Sequence, residues 1–291
     1  MHAPAIFAWF PDGEARRISP PVGYYARPTV HPDGAFAVYW GGAVGSPGVW
    51  KSDLERRKAF RLTSMASGAW HPSYGLRGDE IAFVSDRYGE HRSPDVDEIE
   101  AAPGLLGLSA AVEAHVFVMQ LDGRGVRQVT SGRGYDRQPA LAPDGERVAF
   151  VSNRGGRPGV WVAPATDHAD ATRVAAGVAA ESLAWSVDGE TLFVTLRARD
   201  SVALAAIPAA GGPARPIATA TEFREASVDP RGALLLVHAR CDGAWLPCEL
   251  AIAGGEPRPL RPPGFRSARH ATRARNGVIV FESREPTGAA A

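Results

Sequence analysis

The chain has 291 residues, a length at which a single all-β domain has ample apolar surface to bury. Its 32 basic and 32 acidic residues cancel, so no overall field attracts nucleic acid or an anionic membrane. The two cysteines, Cys241 and Cys248, are too few for a disulfide framework or a structural zinc site and are expected to be small buried thiols.

The N-terminal sequence MHAPAIFAWF has neither the basic segment nor the long apolar segment of a signal peptide, and no later run approaches about 18 apolar residues. We therefore expect a soluble, cytoplasmic protein, exported only if a signal peptide has been removed. The segment from Ala5 to Ser19, AIFAWFPDGEARRIS, indicates two short strands around a turn.

From there on, one pattern recurs along the chain: a short strand, a turn that ends in glycine, and an apolar strand. The turn glycines are separated by 44, 67, 44, 43 and 45 residues, a period typical of a β-propeller. The clearest unit, from Arg137 to Val174, predicts four antiparallel strands joined by hairpins, which is one blade. The six glycines are Gly34, Gly78, Gly145, Gly189, Gly232 and Gly277.

The sixth unit stops after the strand VIVFES and lacks its third and fourth strands. The segment from Ala5 to Ser19 matches the missing part, as a comparison with CELAIAGGEPRPLR shows. We infer that the two ends of the chain share one blade, which pairs strands that would otherwise be exposed edges. The sequence thus predicts an all-β, six-bladed propeller, closed by N-terminal strands, as a single domain over residues 1–291.

Several segments resemble the TolB-type propeller repeat, whose hallmark is a Pro-x-Trp-Ser-Pro-Asp-Gly turn, an apolar strand and a Ser-Asn/Asp-Arg segment. The matching segments are Pro139 to Gly145, Ser152-Asn153-Arg154, Trp185 to Gly189 and Ser85-Asp86-Arg87. The resemblance implies a bacterial propeller, and such propellers serve as protein-binding modules, sensor domains, peptidase caps and a few lyases. Because the sequence shows neither the α/β domain of TolB nor an export signal, a role in the periplasmic Tol system is not expected.

The repeated motifs are expected to serve the backbone. Aspartate caps each turn and glycine accepts a positive φ, so Asp33, Asp144 and Asp188 are interpreted as structural. The pairs Asp86-Arg87 and Asn153-Arg154 are likewise expected to stabilise hairpins or contacts between blades.

We expect functional residues at positions where the blades differ in sequence but face the same place. That place is the central channel, which the first strands line. Polar residues at these positions indicate either a mixed-charge pocket for a polar ligand or peptide end, or a water-filled channel whose ion pairs join blades. The residues next to the first-strand proline position are Arg27, Ser67, Gln138, Ser182, Glu225 and His270, and the charged residues just before them are Arg137, Glu181, Arg224 and Arg269.

An enzyme, either a lyase, a hydrolase or an isomerase, is the alternative to a binding protein. His270 is the residue in this set whose ordinary pKa suits acid–base work near neutrality, and Glu225 or Glu181 would orient it or hold a divalent cation such as calcium. The sequence contains no Gly-x-Ser-x-Gly, Walker, His-Glu-x-x-His or Cys-x-x-Cys motif.

The second unit contains an insertion, from Tyr88 to Ala114. Ser93-Pro94, followed by acidic residues, predicts the start of a helix. The apolar run LLGLSAAV is expected to pack against another surface, because it would otherwise be exposed to water. The insertion is expected to be a lid on the blade, a contact for a protein partner, or a surface for self-association. A purely scaffolding role through this insertion is the third functional hypothesis.

Overall fold

The computed structural model describes residues 3–42, 47–87, 113–178, 180–197, 202–220, 223–241 and 243–284. Their strands form six antiparallel sheets of four strands, arranged as a six-bladed β-propeller, so the predicted fold is confirmed. The helix start predicted at Ser93-Pro94 and most of the insertion lie outside the described residues. No helix long and apolar enough to cross a membrane occurs in the described ranges.

Blades 1 to 3 follow one another along the chain, each with its first strand nearest the channel. Their strands are β3 (Tyr24–Val30), β4 (Phe36–Gly42), β5 (Gly48–Asp53) and β6 (Lys58–Arg61); β7 (Ala69–Tyr74), β8 (Glu80–Ser85), β9 (His115–Gln120) and β10 (Arg127–Gln128); and β11 (Asp136–Leu141), β12 (Arg147–Ser152), β13 (Gly159–Pro164) and β14 (Thr172–Ala176).

Blades 4 and 5 repeat this order, and blade 6 combines the two ends of the chain. Their strands are β15 (Ala180–Trp185), β16 (Thr191–Arg197), β17 (Val202–Pro208) and β18 (Arg215–Ala220); β19 (Phe223–Val228), β20 (Leu234–Cys241), β21 (Ala244–Ala251) and β22 (Arg258–Pro259); and β23 (Arg269–Arg273), β24 (Ile279–Ser283), β1 (Ala5–Trp9) and β2 (Ala15–Arg17).

The N-terminal strand closes the ring as predicted. Strand β1 pairs antiparallel with β24, from Ala5 opposite Ser283 to Trp9 opposite Ile279. Phe7, in the middle of β1, is buried and packs against Phe265 and Phe281, with ring centroids 4.6 and 5.9 Å apart. The last blade is therefore held by both backbone pairing and aromatic packing.

The repeated turns have the geometry that their sequence predicts. Gly145 has a φ of 74°, and the Asp144 carboxylate accepts a hydrogen bond from the Glu146 amide at 2.9 Å. A positive φ favours glycine, and the aspartate satisfies a backbone donor that the tight turn leaves unpaired. The same bond recurs from Ala35 to Asp33 and from Glu190 to Asp188.

The serine–asparagine–arginine segment fastens a hairpin in blade 3. The Asn153 side-chain oxygen accepts a hydrogen bond from the Tyr135 amide at 2.8 Å, and Arg154 forms a 2.6 Å ion pair with the fully buried Asp136. In blade 2, Asp86 accepts a bond from the Gly68 amide at 2.8 Å. In these two blades, the contacts connect the end of the second strand to the start of the first strand.

The apolar core lies between the sheets. One cluster runs through blades 1 to 4 and includes the fully buried Trp40, Trp70 and Val151. Burial of large side chains on both faces of each sheet stabilises the contacts between blades and makes the ring rigid. Cys248 is buried in the cluster of blade 5, as expected, whereas the side chain of Cys241 lies outside the described residues.

Candidate functional site

Each first strand carries an irregularity in its pairing where it faces the channel. In blade 1 the register shifts between Ala26 and Thr29, which leaves Arg27 and Pro28 out of the ladder. In four other blades the ring residue is likewise left out of the ladder. In blade 4 the shift leaves out Glu181, and Ser182 stays paired with Thr195. We call the residues at these bulges the channel ring: Arg27, His71, Gln138, Ser182, Glu225 and His270.

Five of the six ring residues have a positive φ, between 27° and 50°, and Ser182 is the exception. This backbone conformation is uncommon for residues other than glycine and costs about 1–3 kcal/mol when it is strained. All six residues line one cavity of about 230 Å³ that receives residues from the first strands of every blade. In five of the six blades, the fold thus uses an unfavourable conformation to bring one polar side chain to the channel.

Three blades meet in a cluster of charged ring residues. His270 of blade 6 lies between two carboxylates: Nδ1 is 2.8 Å from Glu282 Oε2, and Nε2 is 2.7 Å from Glu225 Oε1 of blade 5. Arg27 of blade 1 adds an ion pair of 3.1 Å to Glu225. Its backbone amide also donates to Glu282 at 3.3 Å. The cluster therefore joins the closing blade to both of its neighbours.

These contacts decide the protonation of His270. Burial alone would lower its pKa, but the charges of Glu225 and Glu282 outweigh burial and raise the pKa to about 10. Burial would raise the pKa of both carboxyls, yet His270 holds both below their usual range, and Arg27 adds to this effect at Glu225. At neutral pH the ring thus contains an imidazolium that donates both N–H groups to carboxylates.

The opposite side of the ring is neutral and short of hydrogen-bond partners. His71 is 7% exposed, and neither of its ring nitrogens has a hydrogen-bond partner within the described ranges. Burial, and then the charges of Arg27 and Arg137, lower its pKa well below the ordinary value. Gln138 Oε1, in the next blade, also lacks a partner among the described residues.

Two further polar side chains of the lining show how its hydrogen bonds differ between blades. Burial lowers the pKa of His238, on the second strand of blade 5, to about 4, and its Nε2 has no partner in the part of the chain that the structure describes. The Ser182 hydroxyl is satisfied, because it lies 2.7 Å from the Thr195 hydroxyl and accepts a bond from the Ala226 amide at 2.9 Å. Ser182 therefore joins blades 4 and 5.

A family described as the TolB beta propeller domain matches residues 93–253, which is more than half of the chain. The chain belongs to the TolB β-propeller family. Among curated relatives, this TolB-family propeller is 26% identical over 143 residues to an uncharacterised protein of Agrobacterium fabrum, covering 48% of this chain and 44% of that protein.

A TolB homologue of Chlorobium luteolum is 42% identical over 55 residues, which cover 19% of this chain and 13% of the relative. The TolB-family propeller thus spans less than half the length of these curated relatives in each match.

Solved structures show the same fold. A candidate TolB from Agrobacterium tumefaciens superposes with a TM-score of 0.72 at 12% identity, covering 99% of this chain and 100% of that chain. TolB from Acinetobacter baumannii gives 0.64 at 15% identity, covering 98% and 64%. Oligogalacturonate lyase from Vibrio parahaemolyticus gives 0.63 at 10% identity, covering 92% and 80%. At these identities the likeness shows the fold alone.

Within this TolB-family propeller, five predicted residues come together in the ring, and one does not. Ser67 precedes strand β7, whereas the ring position of blade 2 is occupied by His71. The other ring residues each stand seven positions before a turn glycine, and seven positions before Gly78 is residue 71. The prediction of Ser67 is therefore wrong, and correct counting from the turn gives His71. The five residues in place are Arg27, Gln138, Ser182, Glu225 and His270.

The four charged residues that precede ring positions do not line the cavity. Arg137 is buried behind the ring and donates to the Ala180 carbonyl at 2.8 Å. Glu181 forms an ion pair with Arg197. Arg224 is exposed and lies 4.8 Å above the Trp245 ring. Arg269 is also exposed. The alternation of side chains along a strand explains this result, because a residue next to a ring position faces away from the channel.

The ordinary pKa of His270 lies near neutrality, but the charges of Glu225 and Glu282 outweigh burial and raise it in the folded protein. A catalytic role of His270 stays a prediction. Glu282 was missed because it lies in the second strand, where the repeat predicts core residues; the same holds for His238. Within the described residues, no group of three or more histidine, cysteine and acidic side chains is placed to hold a metal ion. A divalent cation in the channel stays a prediction.

Proposed function

We propose that the protein is a binding protein that takes a small polar molecule, or the polar end of a peptide, into its central channel. The observation that carries this proposal is the set of buried, unpartnered polar atoms that face the cavity. Among the described residues, they belong to His71, Tyr74, Gln138 and His238. The TolB-family fold is consistent with a protein or peptide partner.

A ligand that bonded to these atoms would remove the free-energy cost of leaving them buried without hydrogen bonds. A buried donor or acceptor without a partner costs about 1–3 kcal/mol, and most such atoms in proteins are satisfied. A cavity of about 230 Å³ has room for a molecule that supplies both donors and acceptors. His71 and Gln138 both have a positive φ, an uncommon backbone conformation for residues other than glycine, at the point where their side chains reach the channel.

The alternative, a lyase, hydrolase or isomerase, gains no support from His270. A general base must have an unprotonated nitrogen, and both nitrogens of His270 donate to carboxylates at neutral pH. Glu181 is paired with Arg197 outside the cavity. The geometry therefore favours binding without turnover.

The test is a binding screen with a matched pair of variants. Small polar compounds, including glucose, tartrate, tartramide and triglycine, are screened by thermal shift and measured by calorimetry. In Gln138→Met, which has a similar shape but no polar side-chain atoms, we expect the affinity of a bound compound to fall roughly 10-fold. Arg224→Ala, outside the cavity, should bind as the wild type does. No saturable binding, or equal loss in both variants, contradicts the proposal.

In this proposal, the insertion at residues 88–114 is a second binding surface, which contacts a protein partner or another copy of the chain. Deleting it should change assembly mass or partner binding while the channel still binds its ligand. A cytoplasmic location stays a prediction, and cell fractionation tests it.

A further inference from the structure

Several hydroxyl side chains of the channel cavity are bonded within the protein. The Ser227 hydroxyl donates to the Ala271 carbonyl at 2.8 Å, and the Thr272 hydroxyl accepts a bond from the Val30 amide at 2.9 Å. Both bonds cross from one blade to the next, as does the bond from the Ala226 amide to Ser182. These polar groups therefore have a structural role and need no ligand.

The charged side chains of the lining are also paired. Arg27 and His270 both form ion pairs with Glu225. Arg273 pairs with Asp229 at 2.9 Å and with Glu249 at 2.6 Å. Among the described residues, the charged side chains that line the cavity are Arg27, Glu225, His270 and Arg273. Because each of them already has a counter-ion, a charged ligand would lose its hydration without gaining a free partner, and the lining favours a neutral ligand.

His238 brings a hydrogen-bond acceptor to the cavity. It is 4% exposed, and burial lowers its pKa to about 4, so its ring is neutral at pH 7. Its bond to the Ala268 backbone favours the protonated form, as expected when a ring N–H donates to the carbonyl. Nε2 has no hydrogen-bond partner in the described part of the chain, so Nδ1 makes that bond. A neutral imidazole has one N–H, which leaves a lone pair on Nε2.

Gln138 supplies a second acceptor, and two further side chains can either donate or accept. Gln138 is 8% exposed, and its Oε1 has no partner among the described residues. Burial lowers the pKa of His71 well below the ordinary value, so one of its two unpartnered nitrogens accepts and the other donates. The Tyr74 hydroxyl is also unpartnered within the described ranges, and burial raises its pKa. The unpartnered atoms therefore call for a ligand that donates hydrogen bonds.

We propose that the channel cavity binds a neutral polyhydroxyl molecule, such as a sugar or a sugar alcohol, whose hydroxyl groups donate to His238 Nε2 and Gln138 Oε1. The inference rests on the proposed function and names its ligand class. A hydroxyl donates one hydrogen bond and also accepts, so further hydroxyls can bond to His71 and Tyr74 in either role. A carboxylate has no hydrogen to donate, and an ammonium group cannot accept.

The experiment compares neutral hydroxyl compounds with charged and hydroxyl-free relatives, by calorimetry on the intact protein near pH 6.5. Glucose is compared with glucuronate, glucosamine and its monodeoxy derivatives. Tartramide is compared with tartrate and with succinamide, which lacks the two hydroxyls. Gln138→Met and His238→Phe each remove one acceptor. Gln120→Met makes the first of these changes at an exposed side chain outside the cavity and is the control.

We expect glucose or tartramide to bind roughly 10-fold more tightly than its charged relatives, because a buried charge without a free counter-ion is unfavourable. Removing a ligand hydroxyl that bonds to Gln138 or His238 should weaken binding roughly 5- to 10-fold. This loss should shrink in the variant that lacks the matching acceptor and persist in Gln120→Met, since only groups in contact are energetically coupled. If His238→Phe does not fold, Gln138→Met alone decides.

Tighter binding of glucuronate, glucosamine or tartrate than of the neutral relative would overturn the neutral ligand class. Equal binding with and without the ligand hydroxyls, or binding of triglycine alone, would overturn donation by hydroxyls; a loss of affinity in Gln138→Met would then still support the polar site. The same hydroxyl preference in Gln138→Met and His238→Phe as in Gln120→Met would overturn the proposed bonds. Absence of binding for every compound would remove the proposed function as well.

Discussion

Replacement of His270 by glutamine tests the charged cluster that joins blades 5, 6 and 1. The variant keeps a side chain that donates hydrogen bonds but removes the positive charge between Glu225 and Glu282. Because both carboxylates are then left buried with less compensation, we expect a loss of roughly 3–5 kcal/mol in the free energy of unfolding near pH 6.

The pH dependence gives a sharper result. The folded pKa of His270, about 10, exceeds the ordinary 6.5, so its contribution is complete below about pH 6.5 and is lost as the pH rises toward 10. The lowered pKa values of Glu225 and Glu282 act in the other direction, and their contribution is lost as the pH falls below about 4.5. The advantage of the wild type over His270→Gln should thus be largest between these limits.

At about 1.4 kcal/mol per pH unit, this advantage should shrink by roughly 3 kcal/mol between pH 6.5 and 8.5. Urea unfolding of both proteins at four pH values measures this advantage in the free energy of unfolding. The titration of groups elsewhere in the chain is common to both proteins and cancels in the difference between them. His168→Gln, at an exposed histidine, should change stability by less than about 0.5 kcal/mol at each pH. Parallel curves for the wild type and His270→Gln would refute a protonated His270 in the folded protein.

Two further predictions concern stability and use the same unfolding assay. Arg154→Ala removes the 2.6 Å ion pair of the fully buried Asp136 and should cost about 3–5 kcal/mol. Arg124→Ala removes an exposed ion pair and should cost less than about 1 kcal/mol. Equal losses in the two variants would contradict the role of burial. Phe7→Ala should cost about 3–5 kcal/mol by opening a cavity in the closing blade, while Val22→Ala, at a 70% exposed side chain, should have little effect; a tolerated Phe7→Ala would argue against closure through β1.

The fold was predictable because each blade repeats one local solution. A turn glycine such as Gly145 needs a positive φ, an aspartate such as Asp144 caps it, and the apolar strand that follows is buried. These requirements act over a few residues, so they are visible in the sequence. The split sixth blade was predictable for the same reason, since the chain ends carry complementary parts of one unit.

The site was predictable only in part. The position of the ring follows from the repeat, which gave Arg27, Gln138, Ser182, Glu225 and His270. Which side chains meet across the channel depends on contacts between blades that local patterns do not encode. The bonds from His270 to both Glu225 and Glu282, which set its protonation, belong to this second kind.

The central claim is that the unpartnered side chains of the channel ring are ligand contacts. A crystal structure of the protein soaked in tartramide near neutral pH tests it most directly. The account predicts the ligand in the channel, with oxygens within hydrogen-bond distance of His71 and Gln138. Tartramide found only outside the channel, with His71 and Gln138 bonded to other protein groups, would contradict it.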